Sequence, residues 1–449
     1  MPRWAGMGAR APRPGRKAMT DLLATPADWP RILLAHADAA DPLDLDAAVA
    51  AGAFVALRRA VRDLGGTAVT AIIAASGLRG RGGAGYPAGE KWRAAAATEA
   101  PRRYVVANGY GADPASHTDR TLLARDPFAV IEGIAIAALA IGASEAFIAL
   151  RAEDSDLISA VSAAVGSATE AGFLGPDVLG SGHDVYLTVR PVQGAYMLGE
   201  ETVLLKALES KRGQPEQRPP YPATEGLLGM PTLVHNVQTL AAVPWIIREG
   251  ADAFRAIGSS DAPGTVLVQV RGPGGDGIAE VPLGTPLRDV IGLGGAMPAG
   301  RSVQAVLVGG PSGGLLPPDA LDTPYTFATL RASGAHVGSG SVVVIDDRTD
   351  LVELVGVLTR FCANEACGKT IPCRIGTKRL AELVGRREGG LIRPSDARLA
   401  TDLAADIVAS ALCDHERLAT LPLTTGMRYF ESEFAPASRP QPAATEAPR

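Results

Sequence analysis

A chain of 449 residues, 47% hydrophobic and 20% charged, can bury about two to four cored domains. Its formal net charge of −5 argues against nucleic acid as a partner. The longest apolar run, Ile134 to Ala143, is too short to cross a bilayer, and residues 1–19 lack the apolar centre of a secretory signal, so a cytoplasmic place is expected.

In chain order, residues 1–20 are basic and rich in Pro and Gly, and read as a disordered tail, with Met19 as an alternative start. Residues 45–64 and 68–75 read as helices. They lead into Ser76–Trp92, a stretch with six glycines, two arginines and a lysine. Glycine lets backbone N–H groups approach a ligand, and Arg or Lys adds charge for an anion. A pocket for a phosphate-bearing cofactor is expected there. The alternative is a surface loop without a ligand. Gly80, Gly82 and Gly85 match G-x-G-x-x-G, but Pro87 and Gly89 oppose the helix that a dinucleotide fingerprint needs next. A P-loop is excluded, because Glu90 separates Gly89 from Lys91.

Arg103–Asn108 reads as a buried strand ending in the turn Gly109–Gly111. Asp126 and Pro127 form an N-cap and first-turn pair for a helix to about Ile141. Strands follow at 145–150 and 184–189, with a helix at 156–171 between them. This alternation predicts a parallel sheet, with ligands beyond the carboxyl ends of its strands. Glu200 and Glu201 open a helix to Glu209; either they suit its dipole or one of them faces a ligand. Arg218–Ala223 reads as stiff and extended, holding Tyr221 for stacking or for plain packing. Polar side chains of Val234–Thr239 stand where a helix start could take a phosphate; His235 is no evidence for a metal.

Strands at 264–271 and 303–308, each followed by a glycine turn, predict a small β-rich unit, and Ser339–Ile345 leads out of it. Helices are expected at 350–361, 377–384, 397–412 and 417–430. All four cysteines, Cys362, Cys367, Cys373 and Cys413, fall in this last part, which points to metal or redox chemistry rather than disulfides.

Ser76–Trp92, Gly194–Thr202, Lys211–Asn236, Gly309–Gly314 and Glu365–Gly376 occur in an order that resembles the flavin- and NADH-binding subunit of respiratory NADH:quinone oxidoreductase. Paralogues of that subunit serve NAD-linked formate dehydrogenases and soluble hydrogenases. The resemblance covers about residues 45–432 and implies an α/β fold. It implies a Rossmann-like flavin domain (21–255), a β-grasp-type, soluble-ligand-binding-like middle domain (256–340) and a four-helix iron–sulfur domain (341–433), before a disordered tail (434–449). It also implies FMN, NADH and one [4Fe-4S] cluster, with hydride passing from NADH to the flavin and electrons leaving singly. No catalytic side chain is needed for that step. Other redox subunits are the implied partners, among them a small thioredoxin-like iron–sulfur subunit, through which the assembly could lie beside the inner membrane. Specificity for NADH over NADPH stays open.

By position, the resemblance assigns Gly80, Arg81, Gly82, Gly83, Gly85 and Lys91 to FMN or NADH phosphates. Tyr86 and Tyr221 would sandwich the adenine. Asn108, Tyr196, Gly199, Glu200 and Glu201 would contact the flavin, and Val234, His235, Asn236 and Thr239 the FMN phosphate end. Cys367, Cys373 and Cys413 would hold the cluster.

The chain departs from the family twice. Relatives read Asn-Ala-Asp-Glu-x-Glu-Pro where this chain reads Asn108-Gly109-Tyr110-Gly111-Ala112-Asp113-Pro114, and His235 replaces an Asn. The family's second cluster cysteine is Thr370 here, and a hydroxyl is a poor substitute for a thiolate. Three outcomes are open: no cluster, a three-iron or open-iron cluster, or Cys362 as fourth ligand. A scaffold paralogue without turnover is the non-enzyme alternative.

Overall fold

The computed structural model describes residues 20–434 except Ile392; the expected tails at 1–19 and 435–449 lie outside the described residues. Phe434, expected in the C-terminal tail, ends a short helix and packs on the core of the helical unit.

Four parallel strands form the first sheet in the order β3-β2-β1-β4. They are β1 (Tyr104–Asn108), β2 (Glu145–Arg151), β3 (Tyr186–Val192) and β4 (Thr232–Asn236). The β1 residues Tyr104, Val105, Val106 and Ala107 are buried on both faces, as an inner parallel strand requires. Helix Pro127–Ile141 begins at the expected cap, with Asp126 accepting from Ala129 N. It is buried along nearly its whole length.

The single helix expected over 45–64 is broken. Phe54 takes a left-handed φ of 61°, and its N–H donates to the buried Glu132 carboxylate at 2.8 Å. Leu57 N donates to the same carboxylate at 2.9 Å, so Glu132 caps a fresh helical start that local sequence does not announce.

A five-stranded sheet follows, built from 265–272, 275–282, 303–308, 314–316 and 341–346. The hairpin partner Gly275–Pro282 is absent from the sequence-based expectations. Its inward Glu280 hides the pattern: that carboxylate accepts from Ile32, Leu33 and Leu34 N and from the Thr265 hydroxyl. Last come helices Leu351–Glu365, Thr377–Glu388 and Asp396–Ala409. The helix expected over 417–430 is two, Asp414–Leu418 and Leu421–Tyr429, because Pro422 starts a new first turn. Among the described residues, no helix is long and apolar enough to cross a membrane.

Candidate functional site

The glycine loop closes on itself. Gly80 N donates to Tyr86 O, and Ala88 N to Leu78 O, both at 2.8 Å. Contrary to the sequence expectation, a helix does follow the glycines, Ala88–Ala97, with Pro87 as its N-cap residue. Gly89 is there for contact: a Cβ on it would lie 2.4 Å from Ala74 Cα. This helix sends Trp92 into the core and leaves Lys91 half-buried at a crevice.

Arg81 is a correction to the phosphate assignment. Its guanidinium is 1% exposed and donates to the carbonyls of Arg79, Pro263 and Thr265. Burial pushes it down to about 9. Gly83 and Gly85 also serve packing, against Gly338 and the Phe327 ring of the middle unit. Gly82 is left exposed beside Asn236, and Gly80 has only the Tyr86 backbone near it.

Across the crevice, Lys91 Nζ donates to Glu201 Oε2 at 2.5 Å. Arg218 pairs with Glu200 and also reaches Glu201 at 3.4 Å. Glu200 is both cap and counter-ion, since it also accepts from Val203 N at 2.9 Å. Lys91 further sits 5.9 Å from the Tyr86 ring centroid. Tyr86 and Tyr221 are 48% and 54% exposed, open to a flat partner. Glu90 accepts a hydrogen bond from the Tyr86 hydroxyl and raises its pKa. The Arg218–Ala223 segment is not extended as expected: the bonds Arg218–Pro219 and Pro219–Pro220 are cis, and the chain bends there. Arg218 itself is a site residue that sequence reading passed over. Only the folded proximity of Glu200 and Glu201 gives it a role.

The carboxyl ends of β1 and β4 form the floor. Asn108 Nδ2 donates to Leu198 O at 3.2 Å. Asn236 caps helix Val237–Glu249 and donates to Asp119 Oδ2 at 2.7 Å. Thr239 Oγ1 accepts from Arg81 N at 2.8 Å. Burial raises Asp119 to about 6. Val234 is buried, and only its carbonyl turns to Lys91. His235 is a second correction: it is buried, its ring accepts from Trp92 Nε1 at 2.9 Å, and burial pushes it down to about 3, so it offers no charge to a phosphate. Asp113 turns inward too, accepting from Ser339 Oγ at 2.5 Å and from Ala115 N at 2.7 Å.

These residues fit a flavin nucleotide and a dinucleotide. Gly82 and Gly199 present open backbone, and a Cβ at Gly111 would meet nothing within 4 Å. The Tyr110 hydroxyl is buried without a hydrogen-bond partner among the described residues. Lys91 and Arg218 offer charge to phosphate, and Glu200 and Glu201 offer acceptors to ribose hydroxyls.

Tyr196 joins the crevice to the helical unit. Its hydroxyl meets Ser312 Oγ at 2.8 Å, its N–H donates to Glu365 at 3.0 Å, and its ring packs edge-on against Phe361 and His415. Next to it, Met197 lines a small cavity together with Cys367, Cys373 and Cys413. Burial first, then Glu416, pushes Cys373 up to about 12; burial also pushes Cys413 up to about 11, with Glu200 near enough to add to it. Crevice and cavity therefore share a wall. Among the described residues, no three His, Cys, Asp or Glu side chains converge as a single ion would need. A cluster spreads its thiolates over several irons, and three thiols around one cavity fit that donor set. Thr370 stands at the missing corner, donating its hydroxyl to Glu416 Oε1 at 2.6 Å. Cys362 does not join them: it sits inside helix Leu351–Glu365, and its thiol points to Pro311 O at 3.5 Å.

Residues 73–245 match the Nuo51 FMN-binding domain, and residues 353–437 match the NADH-ubiquinone oxidoreductase-F iron-sulfur binding region. The F 2 subunit of NADH-quinone oxidoreductase in Rhizobium meliloti is 37% identical over 90% of this chain and 96% of that protein. The HndC subunit of the NADP-reducing hydrogenase in Solidesulfovibrio fructosivorans is 38% identical over 88% of this chain and 80% of its own. A crystal structure of an NAD+-reducing [NiFe]-hydrogenase superposes with a TM-score of 0.79 at 34% identity, over 90% of this chain and 66% of that one. The chain therefore belongs to the NADH-quinone oxidoreductase F-subunit family.

Proposed function

We propose that this chain oxidises NADH on bound FMN and passes the electrons to an iron–sulfur cluster in its helical unit, as one subunit of a larger redox complex. Bound FMN supplies the chemistry, taking a hydride and releasing electrons one at a time. The protein binds, orients and insulates. Lys91 and Arg218 neutralise phosphate, and Tyr86 and Tyr221 hold the adenine between their exposed faces. Glu200 and Glu201 take the hydroxyls of ribose or ribityl. The open backbone at Gly82, Gly111 and Gly199 lets the flavin lie close to the sheet edge. Cys367, Cys373 and Cys413 hold the cluster.

The observation that carries this reading is the shared wall. Glu200 serves the crevice and stands near Cys413, while Met197, three residues before it, lines the thiol cavity. Electrons arriving in the crevice have a short buried route onward. A thioredoxin-like iron–sulfur protein is a fitting next carrier, and any contact with a membrane runs through such partners. Relatives named for quinone reduction and for hydrogenase stand at 37% and 38% identity, so the last acceptor is set by the partner subunits.

The test is a visible spectrum of the anaerobically purified full chain. FMN absorbance that bleaches on adding NADH supports the proposal. A chain that stays colourless after incubation with FMN would sink it in favour of a scaffold. Copurification with a small iron–sulfur protein out of the source cells tests the partner.

A further inference from the structure

The cavity that holds the three thiols has a fourth polar wall. Glu416 lies one helical turn after Cys413, is 1% exposed, and lines the same cavity. Its Oε1 accepts from the Thr370 hydroxyl at 2.6 Å and its Oε2 from Leu412 N at 2.9 Å. Thr370 in turn accepts from Cys373 N at 3.2 Å. A buried carboxylate thus reaches the residue that stands where the family's second cysteine is missing. A carboxylate without a cationic partner is expensive to bury. Among the described residues, no Lys, Arg or His forms an ion pair with Glu416.

We propose that the Glu416 carboxylate is the fourth ligand of the cluster, in place of the thiolate lost at Thr370. This rests on the cluster reading given above. The ligand bond uses an oxygen lone pair of the ionised carboxylate. Each oxygen keeps one after accepting its hydrogen bond, and no electron is transferred. A carboxylate brings the same single negative charge as a cysteine thiolate, so the charge of the donor set is preserved. The hydrogen bonds from Thr370 and Leu412 act as outer-shell contacts that aim the ligand. His415 lines the cavity as well, and its Nδ1 has no partner among the described residues. Its Nε2, however, bonds the Cys362 carbonyl at 3.0 Å, it makes no hydrogen bond to Thr370 among the described residues, and a neutral imidazole would leave the donor set one negative charge short.

The experiment uses the full chain, reconstituted anaerobically with ferrous iron and sulfide, with iron content and electron paramagnetic resonance as readouts. The wild type should hold about four irons per chain, and Glu416→Gln about three, with the resonance of an oxidised three-iron cluster. Glu416→Cys should keep about four irons while shifting the reduced spectrum, and it carries the test if Glu416→Gln fails to fold. Four irons in Glu416→Gln, a wild-type spectrum in Glu416→Cys, or a wild type that stops at three would overturn the proposal and leave the cluster standing. Loss of one iron in His415→Gln, with Glu416→Gln unaffected, would also overturn it. A wild type as free of iron as Cys413→Ala would instead remove the cluster reading itself.

Discussion

Trp92 Nε1 donates to His235 Nε2 at 2.9 Å, with both rings buried under the crevice floor. The bond needs an unprotonated Nε2, and burial holds His235 down at about 3 against an ordinary 6.5. Above pH 6.5 neither state is charged and the histidine contributes no penalty. Below it the unfolded chain takes a proton that the folded chain refuses. Stability then falls by about 1.4 kcal/mol per pH unit, until the folded histidine titrates. His235→Asn lacks this loss. Urea unfolding of both proteins near neutrality and about two units lower should show the wild type losing roughly 2 kcal/mol relative to the variant.

Glu132 has the opposite slope. Burial raises it to about 7 from 4.5, so the folded state holds its proton longer than the unfolded state. Stability from this group is greatest below pH 4.5 and declines as pH rises to about 7. In Glu132→Gln that decline should vanish, although the amide nitrogen cannot accept, so either Phe54 N or Leu57 N loses its acceptor at every pH. Thermal midpoints across this range, compared between the two proteins, check the sign.

Lys91→Met should leave folding nearly intact, because the pair with Glu201 is partly solvated. Nucleotide binding should suffer more. A lost charge-assisted contact to phosphate is worth about 1.5–3 kcal/mol, which is roughly a 10- to 100-fold rise in Kd. Calorimetric titration with NADH measures it.

Tyr86→Ala and Tyr221→Ala remove exposed rims and should cost no stability. Each should weaken NADH by about 1 kcal/mol while FMN affinity is unchanged. Equal loss for both ligands would contradict the adenine assignment.

Arg81→Met strips the donors from two buried carbonyls and a part-buried one, with a destabilisation of about 3 kcal/mol or more expected. Chemical denaturation reads it directly.

Periodicity exposes the parallel sheet, since β1 is a continuous apolar run and Asp126-Pro127 marks its helix from within four residues. What local pattern conceals is built from distant partners. Gly89 breaks helices in isolation, yet here it admits one against Ala74. Glu280 looks like a surface residue until three backbone N–H groups from residues 32–34 reach it. The site divides the same way. Lys91, Tyr86, Glu200 and Glu201 are legible as residue types in motif spacing. Arg218 acquires meaning only beside the two glutamates. The gap at Thr370 is visible in sequence, but Glu416 is 46 residues away and no spacing rule joins them.

Arg81 binds the glycine loop to the middle sheet through carbonyl dipoles rather than through a carboxylate. Such a clasp has no counter-ion for dissolved salt to replace, and its proton stays on below about pH 9. The glycine loop should therefore keep its place on the middle sheet across wide swings of ionic strength, while Lys91 and Arg218, held in partly solvated pairs with Glu201 and Glu200, feel the salt. Salt would tune how tightly the cofactor is held and leave the holder itself unmoved.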